Sequence, residues 1–448
     1  MNDGTEASQL LRSGNIYLRR MGLKSNAGDL TFAGIKRGAF SIYFGDSPFF
    51  HGDLDGRWQR IYRIEHDAHT LKSLDGSAHV LERVRVGKEL TLRRRRLSFE
   101  EVVEDDAWVR DQALTLLESI ARHELEWLPP PAGAHALSLD EFGELLERIS
   151  SWDAAAWFRS REAFLAAYGP SSAAFLSPTC AQPIILQATR EPAARFGWLF
   201  DSDPAIERVP GDEFNAHCAQ VARLIGRRIA QSGGLVLTGA HAMAAPFGEV
   251  RDWLEAAARQ FPVACGVPNA PKGKPDRVEE PRLERFYAFT AAPPGWSTDE
   301  AAQLRARGLS HLDLGIASGN SHLASLHNGT TTAAWSATIH RLKQAGFTLG
   351  IVVVPECGGQ AWAKAHLDDT VDWLRQQPLA AGDLVYIVDL DTDSAQFVAQ
   401  ACASRGLSPL DANSRAAQLK AFRDALLPLR AERGVKVVPY IMDKQSTL

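Results

Sequence analysis

The stretch HLDLGIASGNSHLASLHNGTTTAAWSATIHRLKQAGFTLGIVVVP, residues 311–355, holds two apolar runs of strand length, HLDLGIA and TLGIVVV. Between them AAWSATIHRLKQAG has helical spacing, and Gly346 stands where a helix C-cap belongs. Strand, helix and strand, with strands too apolar to face water, predict parallel strands covered by helices.

The same alternation continues outward. PIILQA, GLVLTG and PVACGVP upstream and DLVYIVD downstream are further candidate strands. FNAHCAQVARLIGRRIA, EVRDWLEAAARQF, TDEAAQLRARG and AHLDDTVDWLRQQ are the helices between most of them. Six such units predict an α/β fold, a partial TIM-like (β/α)6 barrel spanning residues 180–393. A doubly wound sheet is the alternative on pattern alone. After it, SRAAQLKAFRDALLPLRAERG and VKVVPYI predict a helix–strand extension over 394–448.

The amino-terminal part reads differently. AFSIYFG, RWQRIYRIE, AHVLERVRV and LTLRRRRLSF are short runs broken by Gly and Asp, and two alternate in polarity. They predict a β-rich domain of antiparallel strands over 1–105. A helical connector is expected over 106–179. Trp108, Ala113, Leu116, Leu117 and Ile120 share one helix face, and Ser138 with Glu141 forms a capping box. Pro129, Pro130 and Pro131 are expected to be a rigid, separable linker.

Composition bounds the function. Of 448 residues, 45% are hydrophobic and 23% charged, which is ordinary globular usage. The net charge of −5 argues against a dedicated nucleic-acid binder but leaves room for a local basic patch. No apolar run reaches membrane-span or signal-peptide length, so a cytoplasmic protein is expected. Cys180, Cys218, Cys265, Cys357 and Cys402 are scattered and form no C-x-x-C pair, which speaks against a disulfide framework or structural zinc.

The residues from about Ile184 to Leu390 resemble the core barrel of the radical S-adenosylmethionine (radical SAM) family. The likeness rests on Leu314, Gly315, Ser318, Gly319, Leu326, Gly329 and Thr330, then Leu342, Lys343, Ala345 and Gly346. It ends in Gly358, Gly359, His366 and Thr370. The resemblance implies three cysteines after the first strand, holding a [4Fe–4S] cluster to which S-adenosylmethionine binds. Cluster iron is held almost wholly by thiolate. Here Glu191, Phe196 and Leu199 occupy those positions. Ala317 replaces the family's fourth-strand Glu, Thr238-Gly239-Ala240 its Gly-Gly-Glu loop, and Pro355 and Glu356 precede Gly358. A [4Fe–4S] cluster is therefore not expected. S-adenosylmethionine itself is still a candidate ligand, at Thr238, Gly239, Ser318, Asn320, Gly358 and Gly359.

In barrels, chemistry gathers at the carboxyl ends of strands. There, His241, Glu356 and Asp389 are candidates for an acid–base or metal set. The alternative is that they are solvated or pair with arginines. Cys357, beside a Gly-Gly turn, reads as an inert thiol, since no His is near in sequence. The acids of DLDTDS, 389–394, lack the Gly and terminal Glu of a calcium loop. No metal site is predicted.

In the amino-terminal domain, His51, Asp53, Asp55, Arg57 and Trp58 mix aromatic and charged groups as binding hot spots do. A β-hairpin core is the competing reading. Arg93–Arg96 are expected to form a solvated strand edge, neutralised locally by the acids of FEEVVEDD; an acidic partner or nucleic acid is the alternative. The combined expectation is a non-catalytic subunit that binds a small-molecule or peptide substrate, or an active cluster-bearing relative. The alternative is a cluster-independent enzyme reusing the barrel pocket.

Overall fold

A computed structural model describes residues 6–13, 17–64, 67–86, 89–169, 175–190, 197–199, 206–263, 283–390 and 392–440. The chain divides into two compact units. Met1–Gly169 with Ala222–Gln231 make the first, and Pro170–Val221 with Ser232–Thr447 the second. Among the described residues no helix is long and apolar enough to cross a membrane.

The first unit opens with α1 (Glu6–Ser13), β1 (Arg19–Ser25), β2 (Leu30–Lys36), β3 (Ala39–Phe44) and β4 (Phe49–Asp53). It continues through β5 (Trp58–Arg63), β6 (Ala68–Lys72), β7 (Ala78–Val86), β8 (Glu89–Arg96) and α2 (Phe99–Ala121). It then adds β9 (Leu125–Leu128), α3 (Leu139–Ser150) and α4 (Ala154–Tyr168). The nine strands form one antiparallel meander in which β9 pairs with β1 and β8 is the far edge. Alternation decides the faces. Met21, Ala33, Phe40, Ile42, Phe50, Trp58 and Ile61 point to one side and pack there with Val109, Ala113, Phe142 and Leu146 of α2 and α3. The expected helix face is observed, with Trp108, Leu117 and Ile120 partly buried against the same core. The expected capping box is also present, because Ser138 and Glu141 bond reciprocally.

The triple proline does not separate two bodies. Before it, β9 is paired with β1; after it, Arg20 N–H donates to His135 O and Leu137 N–H donates to Arg20 O. The prolines make a loop whose two ends are both fastened to one strand. Proline's missing donor costs nothing there.

The second unit has β10 (Ile184–Gln187), β11 (Thr189–Arg190), β12 (Glu207–Arg208), α5 (Gly211–Ile225, whose last residues from Ala222 belong to the first unit), β13 (Leu235–Thr238) and α6 (Phe247–Gln260). Next come β14 (Phe286–Thr290), α7 (Thr298–Ala306), β15 (Leu309–Ala317), α8 (Ser321–Asn328), α9 (Thr332–Gln344) and β16 (Thr348–Val353). It closes with α10 (Gly359–Gln376), β17 (Leu384–Val388), α11 (Thr392–Ser404), α12 (Ala412–Leu426), α13 (Pro428–Arg433) and β18 (Lys436–Tyr440). Seven strands, β10, β13, β14, β15, β16, β17 and β18, are parallel and lie in chain order. Right-handed crossovers between strands in sequential order put their helices on one face, which is the singly wound arrangement of a barrel rather than a doubly wound sheet. Among the described residues β10 and β18 are not paired, so the barrel is partial.

Two strands differ from expectation. The third is FYAFT, 286–290; of PVACGVP, Val263 makes an isolated bridge to Leu283, and residues 264–268 lie outside the described residues. The final apolar run is no appendage, because β18 pairs along its length with β17 as the seventh strand.

Candidate functional site

The carboxyl end of β15 carries the most distinctive backbone. Pairing with β16 is irregular between Gly315 and Ala317, and Ala317 has φ of 62°. An L-residue there is strained, and its surroundings must hold it. They do so through a buried network. Ser318 Oγ lies 2.8 Å and Thr370 Oγ1 3.2 Å from His366 Nδ1, while His366 Nε2 donates to Val354 O at 3.1 Å. Gly319 N–H donates to Thr370 Oγ1 at 2.9 Å, and a Cβ on Gly319 would stand 2.6 Å from the Thr370 Cα. Asn320 caps α8 through Leu323 N–H and donates to Asp369. Burial holds His366 neutral, with its pKa lowered to about 4.

These bonds give the family-like residues Ser318, Gly319, His366 and Thr370 a physical role, which is to lock the end of β15 onto α10. Ser318 and Asn320 were candidates for ligand contact; here they are buried and committed to this lock. Gly358 and Gly359 are buried as well. Gly359 has φ of 57°, and a Cβ on it would stand 2.5 Å from Ser408 O, so the pair allows a close chain approach. Thr238 is buried at the end of β13, and Gly239 follows with φ of 118°.

Of the predicted acid–base set, two members come together. Glu356 follows β16 and Asp389 follows β17, its neighbour. Burial pushes the Glu356 carboxyl up to about 7; Asp389 adds to the rise and Arg415 of α12 opposes it. His241 follows β13, three strand spacings or about 14 Å across the sheet from β16. It contributes to a different place, at the start of a short 3₁₀ turn over Ala242–Ala244. Arg415 was not anticipated, because nothing in a helix 26 residues beyond Asp389 signals that it returns to the strand ends.

The sheet face carrying Phe289, Val352 and Tyr386 is filled. Phe175 stacks on Phe289 at 5.2 Å and on Tyr440 at 4.4 Å, and Trp198 meets Phe289 edge-on at 5.1 Å. Leu199 is wholly buried in the same cluster. A side chain at Gly315 has no room, since its Cβ would lie 2.8 Å from the Trp198 ring. Thus Leu199, one of three positions where the resemblance implies a thiolate, is a core residue. Glu191 and Phe196 lie outside the described residues. Further along this face, His311 bridges Thr348 Oγ1 at 3.0 Å and Asp313 Oδ1 at 2.9 Å. This buried pair was missed, although H-x-D puts both side chains on one face of a strand.

Cys180, Cys218, Cys357 and Cys402 are buried, and burial raises every one of these thiols, the first two to about 12. Such thiols are poor ligands because the thiolate is the metal-binding form. Cys265 lies outside the described residues. No group of three or more metal-ligating side chains is found among the described residues.

Of the amino-terminal candidates, Asp53, Arg57 and Trp58 are buried and His51 and Asp55 half-buried. Arg57 Nε donates to Asp53 Oδ2 at 2.7 Å, and its other nitrogens reach Asp55 and the Leu224 and Ile225 carbonyls. Those carbonyls lie in the last turn of α5, so Arg57 satisfies a helix terminus within this unit. Trp58 is 2% exposed and donates to Asp106, and the Lys72 ammonium lies over its ring at 5.0 Å. His51 bonds Ser41 Oγ at 2.7 Å; burial, then Lys36, Arg60 and His69, lower its pKa to about 3. The hot-spot reading is therefore corrected: this patch is an ion-paired core, and Trp58 has little surface to offer a partner.

No family model matches the chain, and no curated protein matches it in sequence. Solved structures do. A spore photoproduct lyase variant with dinucleoside spore photoproduct is 12% identical, covering 59% of this chain and 78% of its own, with a TM-score of 0.37. Coproporphyrinogen III oxidase (HemN) from Escherichia coli, described as a radical SAM enzyme, is 14% identical over 60% of this chain and 56% of its own, with a TM-score of 0.36. SuiB of Streptococcus suis, bound to the precursor peptide SuiA, is 10% identical over 82% and 72%, with a TM-score of 0.36. At these values the likenesses bear on no residue of the site.

Proposed function

We propose that the second unit is a non-catalytic, radical-SAM-like barrel that binds a substrate or partner and acts with an active, cluster-bearing relative. The burial of Trp198 and Leu199 against Phe289 carries this reading. At the end of the segment where the resemblance implies thiolates, Trp198 and Leu199 put apolar groups against the sheet instead. The residues present do not fit an iron–sulfur cluster: the template positions are Glu, Phe and Leu, and the four described thiols are all buried, with only Cys357 and Cys402 sharing a core cluster. No reaction step is derived through either group.

Anaerobic reconstitution with iron and sulfide tests it. The expected result is no stoichiometric iron and no reductive cleavage of S-adenosylmethionine. About four irons per chain, with cleavage on reduction, would overturn it.

Glu356 supports a second reading. A carboxyl that titrates near neutrality beside a second carboxylate suits a general acid or base. On this reading the unit is a cluster-independent enzyme whose chemistry sits at the ends of β16 and β17.

A further inference from the structure

We propose that the first unit binds single-stranded nucleic acid on the sheet face opposite α2 and α3, across β5–β8. This inference stands apart from the reading of the second unit. Strand register defines the surface. One row runs Phe32, Tyr43, Phe49, Tyr62, His69, Leu81, Arg94, each directly opposite the next. The neighbouring row ends Arg60, Leu71, His79, Arg96 on the same four strands. Side chains directly opposite or two residues apart share a face, so these groups look the same way.

The face changes character along its length. At the β1–β2 end it is covered, since Leu10 and Leu11 of α1 pack with Tyr17 and Phe32. Toward β8 the guanidinium-bearing residues Arg60, Arg83, Arg94 and Arg96 are all exposed. They frame a patch about 14 Å wide, three strand spacings. Arg60 and Arg83 stand near His69, and Arg94 and Arg96 near His79; Asp67 lies 4.0 Å from Arg83 at the edge of the patch. The two rows carry no carboxylate on these strands; Asp67 and Asp75 stand at their ends.

Within the frame, the half-exposed rings of Tyr62 and His69 lie 4.5 Å apart, and Leu71 and Leu81 are half-buried beside them. Cations ringing aromatic and apolar faces match a chain with phosphates outside and flat bases inside. Guanidinium forks suit phosphate oxygens. An acidic peptide would engage the arginines but has no flat groups for the rings. The net charge of −5 does not oppose this, because the positive residues are gathered on one half of one face.

The test is fluorescence anisotropy of the full chain with a labelled, mixed-sequence single strand of about twelve nucleotides, as DNA and as RNA. Four phosphate contacts predict that affinity falls about fifty-fold between about 50 and 200 mM salt. The Arg60→Glu/Arg96→Glu variant should lose at least thirty-fold. Tyr62→Ala should lose about tenfold, while Tyr62→Phe keeps binding. The arginines are exposed, so melting should be unchanged in the charge variant, and Tyr62→Phe keeps the ring against Phe49. Absence of binding at the lower salt overturns the proposal, as does binding indifferent to these substitutions. Equal competition by polyglutamate would mark the face as an acidic-peptide surface, and equal binding of duplex DNA would reduce it to unspecific charge; either result also overturns it.

Discussion

Each unit is built on a sheet with one face given to helices, and the two treat the remaining face in opposite ways. In the second unit Phe175, Trp198, Leu199, Phe289, Tyr386 and Tyr440 fill it, each of them buried. In the first unit the filling stops part-way. Phe32, Tyr43 and Phe49 are buried, but Tyr62 and His69 are half-exposed and the last strands carry arginine. A barrel-type sheet usually keeps its reactive space where this one is packed, and a meander's spare face is usually plain solvated surface. With that face packed, the proposals above put recognition elsewhere: at the strand ends near Glu356, and on the open half of the antiparallel sheet.

The sharpest way to break that comparison is Trp198→Ala. Removing a buried indole costs about 3–5 kcal/mol. For a unit of this size that lowers Tm by about 6–15 °C. Differential scanning calorimetry should show the loss in the second unit's transition alone. A variant that melts like the parent would mean that the face is not packed, and the case against a cofactor there would fall with it.

The first unit offers a pH counterpart. His51 titrates at about 3 in the folded chain and near 6.5 when unfolded. Between those values the unfolded state binds the extra proton, so stability rises with pH across this window and is lost on acidification from 6.5 downward. The effect is of the order of 2–4 kcal/mol. His51→Gln should flatten urea-unfolding stability between pH 4 and 6.5. An unchanged slope would show that the aromatic row is more open at β4 than its burial indicates.

These two experiments fall on features of different legibility. The α/β alternation was readable because HLDLGIA and TLGIVVV are apolar on both faces, as only helix-covered strands can be. FYAFT was overlooked beside PVACGVP, which has the more familiar composition of a buried strand. Periodicity cannot separate two short apolar runs that close in sequence. The Trp58 patch was legible as a cluster but not as an interior. Its solvation depends on Lys72, Asp106 and Trp157, which arrive from elsewhere in the chain. Glu356 and Asp389 could be named from strand ends alone. That Arg415 would join them, and His241 would not, depends on how strand spacing and α12 bring distant residues together.

Ser318→Ala gives a smaller and more local test. It removes a donor to His366 Nδ1 and the acceptor for Asn320 N–H, leaving Thr370 to compensate in part. A loss of about 1–3 kcal/mol is expected. Amide hydrogen exchange should quicken at Gly319 and Asn320, with little change in the first unit. If Ser318 served a ligand rather than the lock, exchange would stay slow and stability would hold.

The smallest expected effect has the opposite sign. The Glu356 carboxyl titrates at about 7 in the folded chain against about 4.5 unfolded. Between these values the folded state holds the extra proton, so this group's contribution falls as pH rises from 4.5 to 7. Above pH 7 the chain carries a partly buried carboxylate beside Asp389 that it would be more stable without. Glu356→Gln should therefore stabilise the second unit by about 1–2 kcal/mol at pH 8, after allowance for its partial exposure, and leave it unchanged near pH 4. A core residue gains nothing from such a cost, whereas a group held ready to exchange a proton does. If the variant is destabilised at pH 8, Glu356 is a structural partner of Arg415. The strand ends would then join the packed face as scaffold, leaving the open half of the first sheet as the place to look for recognition.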